Sequence, residues 1–311
     1  MSEAGVATPE TEAGVLAVPR PILSVRRRVL VTGASGMLGS DLVPVLAGAG
    51  FEVFPRPRAE LDITDARRVA STFRDLRPDV VVNCAAFTKV DACETDPRAF
   101  QVNAEGVRLL ARECEIRSAQ LVQISTDFVF DGEKGSPYAE DDPPAPLSAY
   151  GRSKRVGEQA ALRLSAGLVV RASWLFGLGG WNFVEAILKQ VEEEGQHELG
   201  VVSDQRGRPT ATTDLSEAIV TLVLAGAVGI YHFANRGDVS WFEFAGEILF
   251  LAGKSGVAVR AVRSESLARP ARRPAYSVLD TGRYEKVTGR AIRDFREPLA
   301  EYLARRARPE A

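Results

Sequence analysis

The chain has 311 residues, 45% of them hydrophobic and 26% charged, with a formal net charge of −2; this is the composition of a soluble globular protein with room for one large domain or a domain with an appended lobe. The charge balance gives no electrostatic reason to bind nucleic acid or an anionic membrane. Three cysteines without Cys-x-x-Cys spacing argue against a disulfide framework and fit a reducing cytoplasm, while two histidines leave little material for a zinc site or a Ser-His-Asp hydrolase.

Residues 1–25 are rich in Ala, Gly, Glu, Pro and Thr and carry no apolar segment behind basic residues. They read as a flexible tail outside the fold. Strand and helix signals then alternate. Arg28–Thr32 is a short β-branched run that stops at Gly33, and Ser40–Gly48 carries a helical pattern ending before Gly50. Phe51–Pro55 is the second strand. A helix over Asp65–Leu76 starts behind a Thr64/Asp65 cap. Asp79–Asn83 is a third strand, apolar on both faces as in a covered parallel sheet. A long helix over Pro97–Ile116, a strand over Gln120–Ser125, a helix over Ser148–Ala166 and a strand over Leu168–Arg171 continue the rhythm. It predicts an α/β fold with a doubly wound, mostly parallel sheet.

After Trp174 the alternation loosens into a helix over Asn182–Glu194, a strand over Leu199–Val202 and a helix over Thr213–Ala225. The longest apolar run, Ala218–Tyr231, is broken by Thr221 and glycines and is too short to span a bilayer. Helices and short strands follow Ser240, around a Pro- and Arg-rich segment at Ala268–Pro274. The expected division is a dinucleotide-binding domain over 26–172, to which 205–239 returns, and a smaller interleaved substrate lobe from 173–204 and 240–311.

The turn Gly33-Ala-Ser35-Gly36-Met37-Leu38-Gly39 follows the first strand directly and opens the first helix. In that setting Gly33 makes the tight turn, Gly36 lets the backbone approach a pyrophosphate, and Gly39 lets helix and strand pack closely. The free N–H groups of the helix N-terminus would hold phosphate. Turn and packing glycines without a ligand are the alternative. The second strand runs into Phe54-Pro-Arg56-Pro-Arg58 with no acid before Glu60. A guanidinium at Arg56 suits a 2′-phosphate, hence NADPH rather than NADH, and a solvated arginine loop is the competing account. Asp62 and Ile63 lie where the chain could reach an adenine. Ala85, Ala86, Phe87 and Thr88 close the third strand with mostly small residues that admit a cofactor.

Tyr150 and Lys154 stand at i and i+4 on one helix, 24 residues beyond the triplet Ser125-Thr126-Asp127. The ammonium is expected to favour the phenolate and lower the tyrosine pKa, with a hydroxyl from the strand end bonding the same reacting oxygen. Alone, a Tyr-x-x-x-Lys pair is also ordinary helix surface.

Taken in order, Thr-Gly-x-x-Gly-x-x-Gly, Leu-Asp62-Ile-Thr, Asn-x-Ala85-Ala86, Val-Asn103-Ala, Ser-Thr126-Asp and Tyr150-Gly-x-Ser-Lys154 resemble the extended short-chain dehydrogenase/reductases. The chain is most similar among these to the dTDP-4-dehydrorhamnose reductases, through Ile-Ser-Thr-Asp127-Phe-Val-Phe-Asp131-Gly, Ser-Trp174-Leu-Phe-Gly, Asn182-Phe, Ser-Asp204-Gln-x-Gly-x-Pro209-Thr and Ser240-Trp241. The resemblance spans about Val29 to Asp280. It implies NADPH-dependent reduction of the C4 ketone of a dTDP-linked 6-deoxyhexose, with Tyr150 as general acid, Lys154 on the nicotinamide ribose and tuning Tyr150, and Thr126 bonding the reacting oxygen, Ser125 being the fallback. It further implies Asn103 on the cofactor and Asp127, Trp174, Asn182 and Arg208 on the sugar nucleotide. NADH as the alternative cofactor, a magnesium ion and a homodimer also come with the family. Phe128, Ala172 and Ser148 depart from its usual Tyr, Thr and Asn, which leaves the exact sugar nucleotide open. Another sugar-nucleotide 4-ketoreductase or epimerase, and a non-catalytic NADP-binding subunit like that of methionine adenosyltransferase, stand as the alternatives.

Overall fold

The computed structural model describes residues 27–307; the segment read as a tail lies outside the described residues. In chain order the first half comprises β1 (Arg28–Thr32), α1 (Met37–Gly48), β2 (Glu52–Arg56), α2 (Ala66–Leu76), β3 (Val80–Asn83), α3 (Arg98–Phe100), α4 (Val107–Arg117), β4 (Gln120–Thr126), α5 (Ala149–Ala161) and β5 (Gly167–Ala172). The second half adds β6 (Leu175–Phe176), α6 (Phe183–Glu192), β7 (Glu198–Val202), β8 (Arg206–Gly207), β9 (Thr210–Ala211), α7 (Thr212–Leu224), β10 (Gly229–His232), β11 (Val239–Ser240), α8 (Trp241–Leu251), β12 (Ala258–Val262), α9 (Gly282–Thr288) and α10 (Arg296–Arg306).

Six strands form one parallel sheet in the order β2-β1-β3-β4-β5-β10. β1, β3, β4 and β5 carry mostly Val, Leu and Ile, because helices cover both faces and every side chain of these strands except that of Arg28 is buried. One apolar cluster joins Val29, Val31, Leu42 and Leu46 to Leu215 and Ile219 of α7; the opposite face joins Leu30 and Val81 to Phe73, Leu110 and Val169. The strand order reverses between β1 and β3, and a crevice opens there beyond the carboxyl ends of the strands.

A third apolar cluster is built by Phe176, Val184, Ile187, Leu199, Phe244, Ile248, Phe295 and Leu299. Three two-stranded pairs, β6–β9, β7–β12 and β8–β11, brace it. The C-terminal segment does not belong wholly to this cluster. Tyr284 and Ile292 pack into the first cluster under the main sheet, with Tyr284 edge-on to Phe233 at 5.1 Å. No helix among the described residues is long and apolar enough to cross a membrane.

Two elements differ from the sequence expectation. The helix expected over Pro97–Ile116 is interrupted by a π-helical segment, Gln101–Gly106, between α3 and α4. That insertion turns Asn103 inward, and such wide turns recur at functional sites. The helix expected through Ala166 stops at Ala161, where Leu164 and Gly167 make successive i to i+3 turns that hand the chain to β5.

Candidate active site

The first cavity lies at the switch between β1 and β3 and has a volume of about 210 Å³. Gly33, Ser35 and Gly36 form one wall, Arg58, Asp62 and Ile63 another, and Ala85, Ala86 and Phe87 a third. Gly33 sits at φ 62°, and a Cβ on it would lie 2.7 Å from the Ala85 backbone nitrogen. Only glycine fits that contact between the two strand ends. Gly36 precedes α1 without a side-chain cap, so the helix presents uncapped N–H groups to the cavity, a donor set suited to a diphosphate. Under the floor, Thr32 donates to Asn83, whose amide donates to Gln123, a buried polar rung across β1, β3 and β4.

Several residues expected to touch a cofactor turn their side chains elsewhere, those at the start of α1 leaving only backbone N–H groups for it. Leu38 is core, Gly39 fits against Gly33 and Ala34, and Met37 packs under Gly180. Thr88 is exposed outside the lining. Arg56 bonds the Pro55 carbonyl, pairs with Glu60 at 3.6 Å and is not part of the cavity lining. Arg58, two residues on, lines the cavity and pairs with Asp62 at 3.4 Å. Asn103 is fully used inside the protein. It accepts from the Phe87 N–H at 2.8 Å and donates to the Phe87 carbonyl and to Ser153 Oγ, both at 3.0 Å. It holds the loop after β3 against α5 rather than facing the cavity.

The second cavity, about 380 Å³, lies against the third apolar cluster. Trp174 and Trp241 stack at 3.4 Å on one side, joined by Phe128 and Phe183, while Arg269 and Arg273 contribute the charged rim. Trp174 holds a left-handed backbone, φ 49°, a strained conformation of the kind that gathers at binding sites. The Arg273 guanidinium meets the Asp91 carboxylate through two bonds, 3.1 and 2.8 Å, tying the loop after β3 to the C-terminal segment. Trp174 was expected here. Phe128, Phe183, Gln205 and Trp241 carried a signal in the motifs that contain them, and the arginines in the Pro- and Arg-rich segment; Ser277 carried none.

Asn182 does not face this cavity. Its oxygen caps α6 by accepting from Val184 and Glu185, and its amide donates to Gly177 and Gly180 carbonyls. Arg208 is also committed, to Asp238 and to the Leu279 carbonyl. Both are consumed by neighbouring loops.

Tyr150 lies between the two cavities. It shares a small apolar cluster with Phe87 of the first and meets Phe128 of the second edge-on at 5.6 Å. The Thr126 hydroxyl, at the end of β4, stands beside the phenol. Ser125 points to the other face and donates to Glu158 at 2.7 Å, so the strand register presents Thr126 and not Ser125. The expected lowering of the Tyr150 pKa by Lys154 is not found. Burial pushes the phenol well above its ordinary value, the Thr126 hydroxyl offsets part of the rise, and the Asp127 charge adds to it. Lys154 instead donates to the Ile124 carbonyl at 2.6 Å. Burial brings the Lys154 ammonium down to about 8, with the Glu158 carboxylate opposing the fall. Asp127 is buried beside Thr126, and desolvation lifts its carboxyl to about 6.

Beneath these groups runs a buried ionic chain. Glu158 receives Arg171 Nε at 2.7 Å and Nη2 at 2.9 Å, and Arg171 Nη1 lies 3.3 Å from His232 Nε2. The other imidazole nitrogen faces the Tyr138 carbonyl at 3.0 Å. Among the described residues no group of three or more His, Cys, Asp or Glu side chains is arranged to hold a metal ion.

A family model described as "RmlD substrate binding domain" matches residues 27–308. A dTDP-4-dehydrorhamnose reductase of Streptomyces griseus is 45% identical, covering 89% of this chain and 93% of its own. A probable dTDP-4,6-dihydroxy-2-methyloxan-3-one 4-ketoreductase of Streptomyces antibioticus is 43% identical over 88% of this chain and 94% of its own. The crystal structure of dTDP-4-dehydrorhamnose reductase from Bacillus anthracis in complex with NADP superposes with a TM-score of 0.86 at 36% identity, over 90% of this chain and all of that one. The chain belongs to the dTDP-4-dehydrorhamnose reductase family of extended short-chain dehydrogenase/reductases.

Proposed function

We propose that the protein is an NADPH-dependent reductase of a dTDP-linked 4-keto-6-deoxyhexose, converting dTDP-4-dehydro-6-deoxy-L-mannose to dTDP-L-rhamnose. The observation that carries this reading is the position of Tyr150, which packs on the same apolar cluster as Phe87 of one cavity and meets Phe128 of the other edge-on. A group bound in each would meet at its phenol.

The residues of the first cavity fit a dinucleotide. The uncapped start of α1 and the glycine turn take the diphosphate, Arg58 takes the 2′-phosphate, and Asp62 with Ile63 borders the adenine. Bound there, NADPH supplies the hydride. In the second cavity the stacked Trp174 and Trp241 offer an apolar wall to the base, and Arg269 with Arg273 offers the diphosphate two cations. Tyr150, kept protonated by burial, donates its proton to the oxygen that becomes the C4 alkoxide. Thr126 bonds the same oxygen, a preorganised donor worth on the order of 3 kcal/mol. Lys154, anchored by Ile124, serves the nicotinamide ribose.

The S. antibioticus relative carries a different sugar in its printed name, so the substrate is settled by a panel of nucleotide-linked 4-keto sugars, with absorbance at the nicotinamide band as readout and each cofactor offered in turn. Turnover of the 6-deoxy-L-mannose compound at least tenfold above the others is expected. Absence of NADPH oxidation with every member of the panel overturns the reading.

A further inference from the structure

The hydroxyl of Thr126 has one proton and two lone pairs, and the structure commits the proton and one lone pair before any substrate arrives. It donates to Asp127 Oδ1 at 3.1 Å and accepts from the Phe128 N–H at 3.2 Å, with the Tyr150 phenol beside it. The only proton on Thr126 thus points at the ionised carboxylate and is withheld from the phenol and from the oxygen of a ketone. The other carboxylate oxygen, Oδ2, is buried without a partner of hydrogen-bonding geometry, although the Ser277 hydroxyl stands close enough to influence its titration.

We propose that Asp127 acts as a positioning residue in its neutral form: its own O–H takes over the remaining lone pair of Thr126, which frees the Thr126 proton to point at the reacting oxygen beside the Tyr150 phenol, and its ionisation withdraws that proton. This rests on the reading of the site as a ketone reductase. The buried orphan oxygen is what makes the neutral form accessible, since a carboxylate with an unsatisfied atom away from water holds its charge poorly. Desolvation accordingly lifts Asp127 to about 6. The titratable groups that face it are few. Tyr150 and, behind it, Cys93 are both pushed upward by burial; Lys154, on α5 one turn from Tyr150, loses its proton only near 8; Arg269 and Arg273 lie on the rim of the adjoining cavity. In this neighbourhood of the described residues Asp127 is the group that titrates between pH 5 and 7.

The test is the pH profile of kcat/KM for the sugar nucleotide, which reports the free enzyme. The native protein is expected to lose activity roughly tenfold per pH unit above an inflection near 6. Asp127→Asn places an amide donor where the neutral acid stood, so its profile is expected to run flat from pH 5 to 7, with the descent near 8 from Lys154 retained. Coincident profiles, or a native profile without the inflection, overturn the proposal. Thr126→Val gives a second route should Asp127→Asn fold poorly: its residual activity must be independent of pH over the same range, and a native-like descent refutes the idea. Infrared difference spectroscopy of native protein against Asp127→Asn needs no substrate. A protonated-acid carbonyl band that bleaches near pH 6 supports the proton placement, and its absence at pH 5 refutes it. A protein that turns over no 4-keto sugar nucleotide sinks the reductase reading, while the infrared titration still decides where the proton lies.

Discussion

Replacing Glu158 with glutamine probes the buried ionic chain while keeping side-chain volume. Both Glu158 and Arg171 are fully buried, and the Glu158 carboxylate takes one bond from Ser125, two from Arg171 and one from Arg155. In Glu158→Gln the Arg171 charge loses its counter-charge and keeps the amide oxygen, a neutral imidazole and the Phe130 ring, 5.1 Å from its guanidinium carbon. Stranding one member of a buried pair costs about 3–5 kcal/mol, and the amide retains part of the hydrogen bonding, so a loss of about 3 kcal/mol is expected. Urea unfolding at pH 7 measures it. The pair replacement Glu158→Leu with Arg171→Met removes both charges and is expected to recover to within about 2 kcal/mol of the native protein. Burial opposes ionisation of Glu158, yet Arg171, Ser125 and Arg155 hold its carboxyl below the ordinary glutamate value of 4.5. Its stabilisation is therefore full above that value and lost as the pH falls through the lowered one. The same variant carries a functional signature: without the Glu158 charge, burial lowers Lys154 further, and the alkaline limb of activity moves below 8. A stability loss under about 1 kcal/mol, with the alkaline limb unmoved, would refute the electrostatic account.

Tyr150→Phe is expected to lower kcat by about 10²–10⁴-fold, the usual contribution of a general acid, with NADPH affinity by fluorescence titration nearly unchanged. Arg58→Ala should reduce kcat/KM for NADPH about tenfold relative to NADH, the loss of a charged hydrogen bond, while Arg56→Ala leaves that ratio alone; equal effects would reverse the assignment of the two arginines. Gly207→Ala would set a methyl group within 2.8 Å of the Trp174 indole, so a raised KM for the sugar nucleotide and altered tryptophan fluorescence are expected. His232 is buried neutral, and burial together with Arg171 depresses it from 6.5 to about 3. Because the unfolded chain takes up that proton first, its contribution to stability is present above 6.5 and lost between 6.5 and 3. His232→Gln should flatten the fall of Tm with acid across that window, and an unchanged slope would count against the neutral assignment.

The local sequence determined the parallel sheet, since Arg28–Thr32, Val80–Asn83 and Gln120–Thr126 are apolar runs whose order and spacing leave few topologies. It also determined the phosphate turn, because a glycine such as Gly33 answers to a contact only a few atoms away. What it left open depends on direction and partners. Whether Arg56 or Arg58 enters the crevice is decided by how β2 ends against β1, and whether Ser125 or Thr126 meets Tyr150 by the alternation of side chains along β4. Asn103, Asn182 and Arg208 have side chains suited to a ligand, but nearby backbone groups and Asp238 claim them first. The environment of Tyr150 is likewise a property of packing. Proximity along a helix suggested that Lys154 would govern the phenol, whereas burial between two aromatic rings and a hydroxyl from another strand governs it instead, because desolvation is set by everything that surrounds a group in space.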